Sequence, residues 1–155
     1  MRSPAPVRRE ELVVDAETSL RMAGIRQRDT AAEQIVRVIL TRLGHAYRVS
    51  NRDLPGSPDV ANRTRRWAVF VHGCFWHSHA RCPRATVPKR NRRFWEEKFE
   101  ANRERDTRAV ASLRRLGYRV VVVWECEADK KPERVWRRLA ARLSGTGQRS
   151  RKRDA

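Results

Sequence analysis

Acidic residues are scarce in this chain. Only 18 Asp and Glu stand against 36 Lys and Arg, which leaves a formal charge of +18 over 155 residues. Such a surface gathers anions, and each phosphate it neutralises releases counterions, so the balance points to nucleic acid. Charge alone names a polyanion and no more, because ribosomal-type and membrane-surface proteins are equally basic. Cysteine is scarce too, with three in the chain. An odd number does not make a disulfide framework and suits a reducing cytosol. No apolar run approaches the roughly 18–20 residues that a membrane span needs. The N-terminus is charged through Glu11 and carries no apolar signal core. Internal repeats are lacking. A cytoplasmic protein without a membrane partner, acting on the nucleoid, is the expectation.

What remains is enough for one folded unit. The length suits a single domain with its own core, and 39% of residues are hydrophobic. Residues 1–18 read as a flexible leader, 19–143 as the folded domain, and 144–155 as a disordered basic tail. Ser19 to Arg26 reads as a short helix or basic arm. Thr30-Ala-Ala-Glu33 is a capping box, followed by Ile35, Val36, Ile39, Leu40 and Leu43 at helical spacing and stopped by Gly44. Tyr47–Val49 suits a short strand. Leu54-Pro-Gly-Ser-Pro58 is a turn that delivers Asp59, and Asn62–Arg66 turns the chain back as a hairpin. Asn91 to Leu116 reads as a long helix ended by Gly117, a strand follows over 119–125, and Pro132 opens a last helix to about Leu143.

The densest chemistry lies at Trp67-Ala-Val-Phe-Val-His72-Gly-Cys74-Phe-Trp76-His77-Ser-His79-Ala-Arg-Cys82. Trp67 to Val71 are apolar without alternation, as in a strand buried on both faces. Cys74 sits two residues past that run, and Cys126 two past Val120-Val-Val-Val-Trp124. If the two strands are parallel neighbours, both thiols emerge at one sheet edge. With His79 and Cys82 they complete a Cys3His set suited to structural Zn2+. His72 or His77 can replace His79, although His79 is better spaced from Cys82.

Phosphodiester hydrolysis needs a divalent metal, an activated water and help for the leaving oxygen. Asp59, after a rigid turn, is placed for the metal. His72 and His77 are candidates for proton transfer, and Asp106 can orient an imidazole. Pro58-Asp59 resembles the start of the PD…(D/E)xK nuclease signature, whose second half is here Phe70-Val71-His72. A single carboxylate leaves backbone oxygens and water as further ligands, which Mg2+ tolerates. Each residue also has a structural reading. Asp59 can cap a turn, His72 can be a core histidine, and Glu33 can be only a helix cap. Asp106 can pair with Arg103, Arg105 or Arg108 in solvent. Phe75, Trp76 and Trp95 can stack on or wedge between bases, or pack against the sheet.

Six blocks together resemble the very-short-patch repair (Vsr) mismatch endonucleases. They are Arg28-Asp-Thr-Ala-Ala-Glu33, Leu54-Pro-Gly-Ser-Pro-Asp59, Val69-Phe-Val-His-Gly-Cys-Phe-Trp-His77, Phe94-Trp-Glu-Glu-Lys98, Asn102-Arg-Glu-Arg-Asp106 and Val123-Trp-Glu-Cys126. The resemblance covers roughly residues 20–143. It implies an α/β fold, a restriction-endonuclease-like central mixed sheet flanked by helices, with a structural zinc site. It implies Mg2+-dependent nicking of duplex DNA 5′ to the thymine of T:G mismatches left by deamination of 5-methylcytosine. Asp59 is then the catalytic acid, with the Val71 carbonyl as a second Mg2+ ligand. His72, His77 and Asp106 assist the chemistry, and Glu33 lies nearby. Cys74, His79, Cys82 and Cys126 hold zinc. Phe75, Trp76 and Trp95 form a wedge at the mismatch. A monomer with possible repair-pathway partners is expected. Two rival readings are a zinc-stabilised DNA-binding protein without catalysis and a restriction-type nuclease without mismatch preference.

Overall fold

The Trp67–Val71 run becomes the middle strand of a three-stranded sheet. The computed structural model describes residues 30–144. The expected leader, the 19–26 arm and the tail from residue 145 lie outside the described residues. Strand β1 (Val60–Asn62) pairs antiparallel with β2 (Trp67–His72), placing Val60 opposite Val69. Strand β3 (Arg119–Trp124) pairs with β2 in parallel, from Trp67 opposite Arg119 to His72 opposite Trp124. The order is β1-β2-β3. The result is a mixed α/β architecture in which a helix crossover joins the two parallel strands.

Both faces of β2 are covered, so it needs no polar alternation. Trp67 and Val69, with Val121 and Val123, pack against α1 (Ala31–Arg42) and α4 (Pro132–Leu143). Val36, Ile39 and Leu40 of α1 and Val135, Leu139 and Leu143 of α4 supply that layer. Ala68, Phe70 and Val120 face the other way, onto Ala109 and Leu113 of the long helix α2 (Arg92–Arg115). The period-two alternation along β2 therefore sends His72 to the α2 side with Phe70, whose ring lies 5.7 Å away.

The helix ends follow their sequence signals. The Thr30 hydroxyl accepts from the Glu33 amide at 3.3 Å, while the Glu33 carboxylate meets Arg37 at 3.4 Å. Two expectations change. The strand expected over 47–49 reduces to a single bridge from Arg48 to Ala61. The buried Asn51 side chain donates to the Arg48 and Pro58 carbonyls and turns the chain away at once. A short helix α3 (Glu125–Lys130) follows β3 and was not expected. Six residues with only Ala128 buried show no apolar period to read. Among the described residues no helix is long and apolar enough to cross a membrane.

Candidate active site and metal cluster

Because β2 and β3 are parallel and level at His72 and Trp124, the chain leaves both at the same sheet edge. Cys74 and Cys126 follow two residues later on each side. The 74–82 loop folds over them by backbone bonds from His77 N–H to the Gly73 carbonyl and from His79 N–H to the Cys74 carbonyl. Ser78 and Arg81, just before His79 and Cys82, take φ of +46° and +58°. That left-handed backbone costs about 1–2 kcal/mol per non-glycine residue, and here it aims the two ligand-type side chains inward.

Cys74, His79, Cys82 and Cys126 offer donor atoms all within 4.8 Å of one another. His79 Nδ1 lies 3.7 Å from the Cys74 sulfur and 3.5 Å from the Cys126 sulfur. A tetrahedral zinc with bonds near 2.3 Å to sulfur and 2.0–2.1 Å to nitrogen requires S···N edges of about 3.6 Å. The donor set and its spacing therefore fit such an ion. Burial pushes the Cys74 thiol up to about 12, so a bound dication is what would hold this sulfur as thiolate. Among the three histidines left open by spacing, His79 is the one that joins the thiols.

His72 and His77 belong to a second group. Their rings stack 3.9 Å apart with planes 4° from parallel. His77 Nδ1 meets the Asp106 carboxylate at 2.5 Å. The arginines around Asp106 are engaged elsewhere. Arg103 pairs with Glu100, Arg108 with Glu104, and Arg105 with the Asn102 side chain. The exposed salt bridge that the sequence offers Asp106 gives way to a helix-to-loop bond with His77. Donor atoms of His72, His77 and Asp106 also lie within 4.8 Å. Yet parallel stacked rings hold their in-plane lone pairs in parallel planes, which do not converge on one ion. The arrangement suits proton handling better than ligation. Burial, and then the charge of His77, lowers the pKa of His72 to about 4, so His72 is neutral at physiological pH.

Asp59 lies on the neighbouring flank. Its carboxylate accepts from the Val71 amide at 2.6 Å, directly beside His72. The turn before it requires glycine, since a Cβ on Gly56 (φ +72°) would fall 2.4 Å from the Ala109 Cβ of α2. Burial raises the Asp59 pKa, opposed by the Val71 N–H and by the charge of His77. Glu33, 6% exposed, lines the same cavity of about 320 Å³ with Arg37, Asn51 and Asp59. The residues read as chemical in the sequence are thus gathered along one sheet edge.

The aromatic group divides. Phe75 is 7% exposed, with its ring edge-on to Phe99 at 5.2 Å and to Trp95 at 5.8 Å. Of the two readings the sequence leaves open for Phe75, stacking on bases or packing, its burial matches packing: the loop turns it inward, onto the apolar bed that α2 offers. Trp76 and Trp95 keep partial exposure, with Lys98 Nζ 5.5 and 5.3 Å above their rings. Sequence reasoning quoted Lys98 and Asn102 within the family blocks but gave them no role. They line a second cavity of about 520 Å³ with Trp76, His77, Arg105 and Asp106, and Asn102 donates to the Trp76 carbonyl at 2.9 Å. The available signal was helical: Trp95, Lys98, Asn102 and Asp106 recur at three- and four-residue steps on α2.

A desolvated carboxylate, paired imidazoles and a Cys/His cluster on so basic a chain are the parts that a hydrolase of polyanions would use. Comparison with known proteins gives that class its substrate. The family model described as DNA mismatch endonuclease Vsr matches residues 12–84. The DNA mismatch endonuclease Vsr of Escherichia coli is 41% identical over 128 residues, spanning 83% of this chain and 81% of the relative. The type II nicking enzyme V.XorIIP of Xanthomonas oryzae pv. oryzae is 45% identical over 106 residues, 68% of this chain and 77% of the relative. The type II nicking enzyme V.NmeAIP of Neisseria meningitidis is 36% identical over 121 residues, 78% and 86%. The chain belongs to the Vsr family of DNA mismatch endonucleases. It is a hydrolase that acts on DNA.

Proposed function

We propose that this endonuclease nicks duplex DNA on the 5′ side of the thymine in T:G mismatches, the lesions left when 5-methylcytosine deaminates. The carrying observation is the continuous edge formed by Asp59 on the Val71 amide and the His72–His77–Asp106 stack, beside half-exposed Trp76 and Trp95. Asp59 and the Val71 carbonyl would hold Mg2+, with water and phosphate oxygens as its other ligands. A buried carboxylate resisting ionisation is suited to a dication that offsets its charge. When bound, the ion supplies charge stabilisation at the scissile phosphate.

The chain's own side chains do the rest. Asp106 fixes His77 through Nδ1, leaving Nε2 to accept or return a proton. Neutral His72 supports the His77 ring and shares the charge that develops on it. Glu33 and Arg37 border the Asp59 cavity. Trp76 and Trp95 enter the base stack at the mismatch, and Phe75 backs them. Cys74, His79, Cys82 and Cys126 would hold zinc, which would fix the loop that carries His77. The catalytic unit is a restriction-endonuclease-like core over residues 19–143, working as a cytoplasmic monomer alongside repair-pathway proteins.

The test uses matched duplexes holding T:G or C:G at one position, purified protein and Mg2+. Strand-specific nicking of T:G alone, abolished by Asp59→Ala, supports the proposal. Equal cutting of both duplexes makes the protein a nuclease without mismatch preference. Binding without cutting removes catalysis from the account.

A further inference from the structure

Four rings run in line from the Cys/His cluster to the hydrolytic edge. The His79 imidazole lies flat on the Trp124 indole, with centroids 4.0 Å apart and planes 10° from parallel. Trp124 meets His72 edge-on at 5.3 Å and 75°, and His72 stacks on His77. Trp124 ends β3 opposite His72, and both line one cavity of about 680 Å³ with His77 and Asp106.

Backbone register fixes Cα positions but not ring planes. The outer torsion of an imidazole is broad, so the plane of His72 depends on what its ring touches. Its neighbours are His77, Phe70 and Trp124. Phe70 is rooted in the core, whereas Trp124 is half-exposed and needs its own restraint. His79 supplies that restraint by covering the indole face, with Nδ1 held between two sulfurs.

We infer that Trp124 is a positioning residue for DNA hydrolysis, transmitting the order of the Cys/His cluster to the His72–His77 stack. This rests on the nuclease reading above. It predicts that the cluster matters to turnover and not only to folding, because one planar side chain links the two.

The full-length, zinc-loaded chain is compared with Trp124→Leu and Trp124→Phe on a T:G duplex. Trp124→Leu should lower kcat about 10- to 100-fold with KM within about two-fold, the signature of misplaced groups rather than lost binding. Zinc content by metal analysis should not change. Trp124→Phe keeps a flat ring and should recover to within about three-fold of wild type. In a His72→Ala background the Leu change should add less than about two-fold, because the path through His72 is already broken. A readout independent of turnover is the nuclear Overhauser contact between the His72 and His77 rings without DNA. It should persist in wild type and Phe and vanish in Leu. If Trp124→Leu sheds zinc, Trp124→Met, bulky but not planar, takes its place under the same readouts. An unchanged kcat with the ring contact intact, or a full loss in the His72→Ala background, overturns the inference. A wild-type protein that nicks neither duplex sinks the nuclease reading instead, and the ring contact still decides the role of Trp124.

Discussion

Two groups of ligand-type side chains share one sheet edge and are built differently. In Cys74, His79, Cys82 and Cys126 the donors converge, with sulfur–nitrogen separations of 3.5 and 3.7 Å around a common point. In His72, His77 and Asp106 the donors are just as close, but the rings are parallel. Closeness of donor atoms therefore does not define a metal centre; the direction of their lone pairs does. The two groups are only a few residues apart because β2 ends at His72 and the chain turns from Gly73 onward, so Cys74 is released from the face that the strand gives His72. His72 faces α2 and Asp106, while Cys74 turns toward the end of β3. One strand end can thus serve a closed, sulfur-rich centre and an open, proton-handling one.

The largest effect that would sharpen this contrast is expected at Cys126. Structural zinc contributes on the order of 10 kcal/mol in small sites, comparable with the whole stability of a domain. Cys126→Ser should therefore yield zinc-free, unfolded or insoluble protein by circular dichroism and metal analysis. A cooperatively melting, zinc-free Cys126→Ser at wild-type temperature would break it. The aromatic group gives an intermediate effect. Phe75→Ala should cost about 3–5 kcal/mol in denaturant unfolding, since it empties a buried site. Trp76→Ala should cost far less and instead weaken the preference for T:G over C:G. The reverse order would make Phe75 the contact surface and Trp76 the core.

The smallest effect on folding stability is electrostatic and sits at Asp59. Burial holds its carboxyl above the ordinary carboxylate range, so the folded chain resists its ionisation. Below its ordinary value of 3.8 both folded and unfolded chains are protonated and no penalty exists. As pH rises through the higher native value the penalty becomes complete. Asp59→Asn should therefore melt above wild type at pH 8 in metal-free buffer, with the difference shrinking toward zero below pH 3.8. A variant less stable than wild type at pH 8 would mean that the Val71 bond outweighs desolvation.

Much of this was legible before any coordinates. The unalternating Trp67–Val71 run announces a strand covered on both faces, and the matched two-residue offsets of Cys74 and Cys126 require parallel neighbours. Gly44 and Gly117 mark helix stops, with φ of +79° and +86°. What stayed hidden depends on direction rather than spacing. No pattern says that Phe75 turns inward while Trp76 does not, because that follows from the bed offered by Phe99 on α2. The His72–His77 stack is likewise invisible in sequence, since it depends on how the 74–82 loop closes. Asp106 carries two readings in the sequence, an orienter of an imidazole or a solvent ion pair, and spacing does not choose between them; the pairing of Arg103 and Arg108 elsewhere leaves it to His77.

One preparation of Asp59→Asn tests the separation of the two centres most directly. Zinc per chain, affinity for a T:G duplex and nicking rate are measured together, beside wild type. The prediction is full zinc and wild-type affinity, with nicking reduced by on the order of 10³-fold or more, as expected when a group essential to the transition state is removed. Wild-type nicking by Asp59→Asn would place the chemistry elsewhere and contradict the account.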